Sequence, residues 1–444
     1  MLRLLIYLVT LAILIAAAVW LADRPGAVAV DWLGWRIETS VPVLLIGLFL
    51  VVVLFSAVIR FWRLVVGLPG RLAERRREKR RRQGYLALTD GLAAVAAGDA
   101  GRARKNARRA DGLLNDPPLT LLLSAQAAQL SGDADAAKNH FARLVERPET
   151  EFLGLRGLLT QALRAGDQAA ALDYARRAHA VNPDAGWLTA TLFDLQARAG
   201  LWGEAAQTLR DAAKRHVFPP EDAARKRAIV AYERAGQAQA AGDRREALRQ
   251  ARQAHEADPA FPAAAVRLAE LLMAEGKERK AATALADTWR VAPHPDVMAA
   301  HLGLSPADDA LRRLQRAEKL AAANPDHPES HLAVGEQALR AKLWGQARAH
   351  LTAAAEARPT ARVYRLLAEV EEAEGGDAAA VRDWLAKAAA AAPDPIWLCR
   401  QCGGVAPRWS SLCPTCHALD GIAWSDPLHP PPALPAAAPA VIAP

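Results

Sequence analysis

Cysteine is nearly absent: four residues in 444, Cys399, Cys402, Cys413 and Cys416, all inside CRQCGGVAPRWSSLCPTC. A disulfide framework spread through the chain is therefore excluded. Aromatic residues make up only 6%, so any core must be built from aliphatic side chains and alanine. Signatures of catalysis are lacking too. The nearest approach to a phosphate loop, AAGDAGRARK at 96–105, has neither the spacing nor the terminal GK[ST] of a P-loop. His327 and His331 in DHPESH stand four apart like a metalloprotease pair, but Pro328 opposes a helix there and the glutamate is misplaced. No dinucleotide fingerprint and no nucleophile elbow occurs. The sequence reads as that of a protein without an active site.

Charge is missing from two long runs, residues 4–22 and 41–59, each of 19 residues. That is close to the roughly 20 residues a helix needs to cross a hydrocarbon core. They predict a transmembrane hairpin over residues 1–63. A cleavable signal peptide is the alternative for the first run, with Arg3 before it and Ala16, Ala17 and Ala18 as a small-residue site; the second run close behind favours the hairpin. Residues 60–82 hold nine arginines and one lysine against Glu74 and Glu78, a net of +8, which equals the net charge of the whole chain. A neutral protein thus carries a basic collar. Lysine and arginine concentrated beside a span mark the cytoplasmic side, so both termini are expected in the cytoplasm and the loop between the spans outside. Trp20, Phe61 and Trp62 take interfacial places. In a juxtamembrane linker over 64–84, Arg75, Arg76, Arg77, Lys79, Arg80, Arg81 and Arg82 are expected to face anionic headgroups, each contributing about 1 kcal/mol. Tethering beside a membrane makes lipid the expected partner of this run, and nucleic acid is not expected.

From residue 85 onward a period appears. Gly98, Gly132, Gly166 and Gly200 are spaced by 34, as are Gly242 and Gly276; Lys342 in AKLWGQA takes the same place as Gly200 in AGLWGEA, and Gly376 falls 34 later. The interval from Gly276 to Lys342 leaves room for one degenerate copy near 310. Five positions after each turn stand Ala103, Ala137, Ala171, Ala205, Ala247, Ala281 and Ala347; seventeen after stand Pro183, Pro259, Pro293, Pro359 and Pro393. Trp202, Trp344 and Phe141 occupy aromatic places. Glycine permits the turn between antiparallel helices, alanine lets them approach, and proline ends the second. The pattern resembles the tetratricopeptide repeat family over about residues 85–393, and with the spans it makes the expected fold all-α. Repeat stacks of this kind bind peptides and proteins on the surface lined by the first helices; Arg156, Asp194, Glu270 and Glu336 are the expected groove residues.

Among cytoplasmic thiol pools the four cysteines are not expected to pair. Their arrangement, C-x2-C, ten residues, C-x2-C, is that of two metal knuckles in a ribbon over 396–424. A closed four-thiolate site favours one zinc ion, with a rubredoxin-type iron as the alternative; a redox dithiol predicts a single C-x-x-C beside a βαβ pattern. His417, next to Cys416, is a bystander, and Trp397, Trp409 and Trp424 are expected to cover the cluster. The ribbon is expected to cap or extend the end of the repeats, and the Pro/Ala-rich stretch 425–444 to be disordered.

The N-terminal pattern PGAVAVDWLGWRIETS (25–40), followed by the second span and FWR at 61–63, resembles the HemY family of bacterial inner-membrane proteins. The resemblance implies a multi-pass inner-membrane scaffold associated with haem biosynthesis, with haem-pathway enzymes as partners. The missing flavin fingerprint separates this chain from the protoporphyrinogen oxidase of the same name. A four-cysteine ribbon after the repeats resembles LapB instead, an adaptor that links lipopolysaccharide synthesis to a membrane protease. An iron-containing redox protein is the competing class.

Overall fold

The recurring Gly-Asp pairs mark where the chain reverses between helices. In the computed structural model Gly98, Gly132, Gly166 and Gly242 all have φ between 75° and 80° or just below, at 74° for Gly166. The following Asp99, Asp133, Asp167 and Asp243 each accept a hydrogen bond from the backbone N–H three residues on, at 2.9–3.1 Å. Glycine supplies the left-handed turn and aspartate caps the next helix. The structure describes residues 26–428 except 33, 115 and 116, together with 8, 9, 12, 13, 15, 16, 19 and 20. Most of the first expected span (4–22) and of the expected disordered stretch therefore lies outside the described residues. The chain divides into two units, Met1–Leu123 and Ser124–Pro444.

In the first unit, β1 (Ala27–Trp32) and β2 (Trp35–Ser40) form an antiparallel hairpin with Ala27 opposite Ser40 and Trp32 opposite Trp35. Gly34, at φ 86°, turns it. An all-α expectation missed this hairpin, although AVAVDW and WRIETS alternate with the period of strands. One helix, Val41–Ala96, then runs 56 residues. Its segment Val43–Trp62, with mean hydropathy 2.8 and no part buried, is long and apolar enough to cross a membrane. Among the described residues it is the one segment of this kind; a two-helix hairpin is not shown. The stretch expected as a linker is helical and continuous with the span. Pro69, between Gly67 and Gly70, has no N–H of its own to give to the helix. The end of this long helix serves as the first helix of a repeat. A Cβ on Gly84 would sit 2.5 Å from Leu114 Cγ, and one on Gly91 2.5 Å from Leu123 Cδ2, so both glycines are sites of close approach.

In the second unit helical hairpins follow one another. Ala137, Ala171, Ala205, Ala247, Ala281 and Ala347 are fully buried, as is Ala103 in the first unit. Lys342 takes φ 59° in the turn, doing what glycine does elsewhere. At the last turn the left-handed residue is Gly375 (φ 77°) and not Gly376, one position ahead of the period; a Cβ on Gly376 would lie 2.9 Å from the Glu371 carbonyl oxygen. The degenerate copy consists of Pro295–Leu302, shortened to 8 residues, and Ala310–Ala321. After the helix Ala378–Ala390, β3 (Ile396–Cys399), β4 (Val405–Ala406) and β5 (Ile422–Ser425) make an antiparallel sheet in the order β4-β3-β5.

Two substitutions test the repeat geometry. Gly166→Ala, forced into a left-handed conformation, is expected to lower stability by about 1–2 kcal/mol. Ala171→Leu, overpacking a fully buried contact, is expected to lower it by about 1–3 kcal/mol. Urea unfolding of the full chain in detergent reads both, and an unchanged midpoint for Ala171→Leu would contradict the packing described.

Candidate metal centre

Two short loops bring the cysteines together, and the loops are built alike. Cys399 N–H donates to Gly404 O (2.8 Å) and Gly403 N–H to Cys399 O (2.8 Å); in the second, Cys413 N–H donates to Ala418 O (3.0 Å) and His417 N–H to Cys413 O (3.0 Å). The residue after each pair is left-handed, Gly403 at φ 70° and His417 at φ 55°. His417 is thus the counterpart of Gly403, and its backbone is what the loop uses. Within each loop a backbone N–H reaches a sulfur: Gln401 to Cys399 Sγ and Thr415 to Cys413 Sγ, both at 3.4 Å.

The four sulfurs lie within 4.8 Å of one another. Cys399 and Cys416 are 3.6 Å apart, Cys402 and Cys413 3.8 Å. These separations are far beyond a disulfide bond. They match the edge of a tetrahedron whose centre is about 2.3 Å from each sulfur, about 3.8 Å. The crowding of the thiols also shows in their acidity. Burial and the three neighbouring thiols push Cys416 up to about 12. At Cys413 burial acts upward but is outweighed by backbone N–H groups of Cys416 and Thr415, which bring it to about 7. Four thiolates cannot share this volume unless a positive ion stands between them. Cys399, Cys402, Cys413 and Cys416 would hold that ion, and their closed shell leaves no position for substrate.

The ribbon does not cap the last repeat. It lies against the starts of three earlier first helices, Pro220–Ala240, Pro262–Ala274 and Pro295–Leu302. Arg225 ties it down: Nε and Nη2 donate to the Asp420 carboxylate (3.0 and 2.7 Å), and Nη1 donates to Asp258 (3.1 Å). Its guanidinium carbon sits 4.1 Å from the Phe261 ring centroid. Trp409 stands edge-on to Phe261 (4.5 Å) and Tyr232 (5.2 Å). On the other side, His294 packs against Trp397 (4.9 Å) and Trp424 (4.6 Å). The tryptophans expected to cover the cluster therefore also bind the ribbon to the helices. An aromatic surface on a module too small to bury it alone is stabilised by that docking. Arg225, Asp258, Phe261 and His294 were not legible as functional; each sits in an ordinary repeat context, and no local signal marks it.

The remaining expected site residues are dispersed. Arg75, Arg76, Arg77, Lys79, Arg80, Arg81 and Arg82 are exposed on the long helix, where Arg75 lies about 20 Å along the axis beyond Trp62 at about 1.5 Å per residue. Arg156 lies over the Trp187 ring at 5.4 Å. Asp194 is 3.7 Å from Arg198, and burial raises its pKa. Glu270 is exposed, and Glu336 accepts from Arg340 (2.7 Å) and Arg362. Of the four, Glu336 lines a cavity of about 340 Å³, with Asp296, Arg313, Arg340 and Arg362.

Residues 26–132 match the family described as HemY protein N-terminus, and 238–302 match a tetratricopeptide repeat family. Over 436 residues the chain is 33% identical to the probable magnetosome protein Mms48 of Magnetospirillum gryphiswaldense, covering 96% of this chain and 94% of that one. The chain belongs to this HemY-type tetratricopeptide family. None of these three matches indicates a catalytic family. Among solved structures, the crystal structure of MamA protein aligns at TM-score 0.25 and 16% identity over 37% of this chain and 90% of its own. The Naa15/Naa10 complex bound to HypK-THB aligns at TM-score 0.40 and 15% identity over 72% and 60%. The fold of this HemY-type chain rests on its own repeat geometry, not on those two alignments.

Arg225→Ala leaves two partly buried carboxylates without their cation and is expected to cost about 2–3 kcal/mol while leaving the metal content unchanged; limited proteolysis then cuts near 391–396. Metal retained with no change in proteolysis would refute the docking. The seat is also expected to weaken in acid. Burial lowers the pKa of His294 to about 4, so its contribution is complete above about 6.5 and lost as pH falls from there toward 4. Asp296, facing the same tryptophan, is raised by burial and opposes this only in part. Thermal melting of wild type and His294→Gln from pH 7 to 5 checks the sign: wild type should lose more stability.

Proposed function

We propose that this HemY-type protein is a scaffold anchored in a bacterial inner membrane by two spans, with both termini and the repeats on the cytoplasmic side. The observation that carries the reading is the array of stacked helical hairpins with an open cleft of about 340 Å³ beside the docked ribbon. Its Arg313, Arg340 and Arg362 alternate with Asp296, Glu329 and Glu336, a lining suited to backbone and side-chain groups of a protein segment. Arg156, Asp194 and Glu270 extend the contact surface. The ribbon holds zinc, and its closed thiolate shell supports a structural role over the iron redox alternative. The basic collar sets orientation and offers Arg75 to Arg82 to anionic headgroups.

The partners proposed are haem-biosynthesis enzymes, the role that the HemY resemblance implies. A second reading has specific support in the 33% identity to a probable magnetosome protein: partners at an internal membrane organelle or its assembly machinery. The LapB-like arrangement of ribbon and repeats would point instead to a membrane protease and lipopolysaccharide enzymes.

In-cell crosslinking with mass spectrometry separates these. Wild type is expected to capture haem enzymes, and Arg340→Glu with Arg362→Glu to lose them while keeping its metal. Capture of magnetosome-type or lipopolysaccharide proteins would replace the pathway and keep the scaffold. Identical capture by both forms would remove the cleft from the binding surface.

A further inference from the structure

A second open cleft, of about 680 Å³, is walled by the helices Trp202–Lys214, Pro220–Ala240 and Arg244–Ala257. It has twice the volume of the cleft at Glu336, and two of its three walls are second helices of their hairpins. The middle wall is irregular. Gly200 and Gly242 stand 42 apart where the period is 34, and the eight added residues lengthen this first helix to 21, against 13 in Gly186–Arg198 and Pro262–Ala274. Arg225, which holds the ribbon, and Arg227, which lines the cleft, both lie near its start. Two residues turn a helix by about 200°, so ribbon and cleft use opposite sides of it.

The lining divides by chemistry. Ala206, Leu209, Val230 and Ala231 are buried and make an apolar floor. Around them stand Arg210, Lys214, Arg227 and Arg234 against Glu256, four cations to one carboxylate and a net of +3. Outside residues 60–82 the chain sums to zero, so this is a local excess. Arg227, Val230, Ala231 and Arg234 fall at i, i+3, i+4 and i+7, which sets cation, apolar pair and cation on one helical stripe about 10 Å long. Two of the cations are not neutralised. Arg210 donates to the Gln207 side-chain oxygen and Arg227 Nε to the Ala223 carbonyl (3.2 Å); among the described residues neither meets a carboxylate. Lys214 has Asp211 at 3.1 Å, and Arg234 is 3.6 Å from Glu246, which Arg249 already holds at 2.6 Å.

We propose that this cleft docks a short acidic segment of a partner protein, whose apolar side chains cover the floor while its carboxylates meet Arg210 and Arg227. Charge complementarity chooses the sign of the occupant, and the sunken apolar floor chooses its shape, since such a trough admits side chains and not the flat face of a bilayer. A stripe of about 10 Å spans two turns of a bound helix. This surface is separate from the cleft at Glu336, and the scaffold would hold two partner segments at once.

Fluorescence anisotropy with the full chain in neutral detergent tests this, using labelled EELLEELLEE as the probe. Wild type is expected to bind it, to lose affinity as salt is raised, and to bind KKLLKKLLKK and EEAAEEAAEE at least about tenfold more weakly. Arg210→Glu with Arg227→Glu is expected to weaken EELLEELLEE binding about tenfold. Ala213→Trp, which fills the exposed mouth without changing charge, should weaken it as well. Arg104→Glu with Arg108→Glu changes net charge equally on another exposed helix face and should leave binding intact, as should Arg340→Glu with Arg362→Glu, so that failure here and failure of the cleft at Glu336 are read separately. No binding by wild type, equal binding by the Arg210→Glu, Arg227→Glu form, or an equal loss in the Arg104→Glu, Arg108→Glu control would overturn the proposal. Displacement of the probe by solubilised phosphatidylglycerol, with the same dependence on Arg210 and Arg227, would overturn it in favour of lipid.

Discussion

Everything in this molecule hangs on one small contact repeated at fixed intervals, an alanine with no exposed surface pressed against the neighbouring helix five residues after a left-handed turn. With no room for a larger side chain, the two helices of each hairpin meet at one height and one angle. The next hairpin then inherits that geometry. Where a large side chain does enter, space is made for it: Phe141 lies where a Cβ on Gly157 would stand, 2.2 Å from the ring. The irregular places have a use as well. The 21-residue helix Pro220–Ala240 and the 8-residue helix Pro295–Leu302 break the regular lengths, and the ribbon lies against the starts of both.

The ribbon couples two kinds of stability. Its loops are organised around four sulfurs, and an ion held there would add its binding energy to the folding of so small a module. Its outer aromatic surface, in contrast, is completed only by Phe261, Tyr232 and His294. Arg225 joins the halves, since Asp420 belongs to the ribbon and Asp258 to the repeats. A disturbance of the sulfur cluster would therefore be felt more than 150 residues upstream in sequence, through contacts that are direct in space.

What could be read from the sequence followed from local rules. The turn glycines, the aspartate caps and the alanine contacts each depend on residues within one hairpin, so period alone exposes them. The two C-x-x-C loops are likewise local. The seat of the ribbon was not legible, because Arg225 and Asp420 are 195 apart and nothing near either one announces the other. The β-hairpin at 27–40 was passed over because two short strands beside a long apolar run look like a connecting loop. At Gly375 the period misled by one residue, since a shift within a turn costs little when two glycines stand side by side.

The long helix Val41–Ala96 carries the apolar segment, the basic collar and the opening of the repeats on a single backbone. Length and phase are locked together in such a rod. Each residue inserted between Trp62 and Tyr85 would advance the repeat helix by about 1.5 Å and rotate it by about 100° about the axis. The collar is then a gauge, whose residue count decides which face of the first repeat helix is turned toward a given side of the apolar segment. Point substitutions of its arginines would leave that setting intact, whereas a deletion of two residues would nearly reverse it.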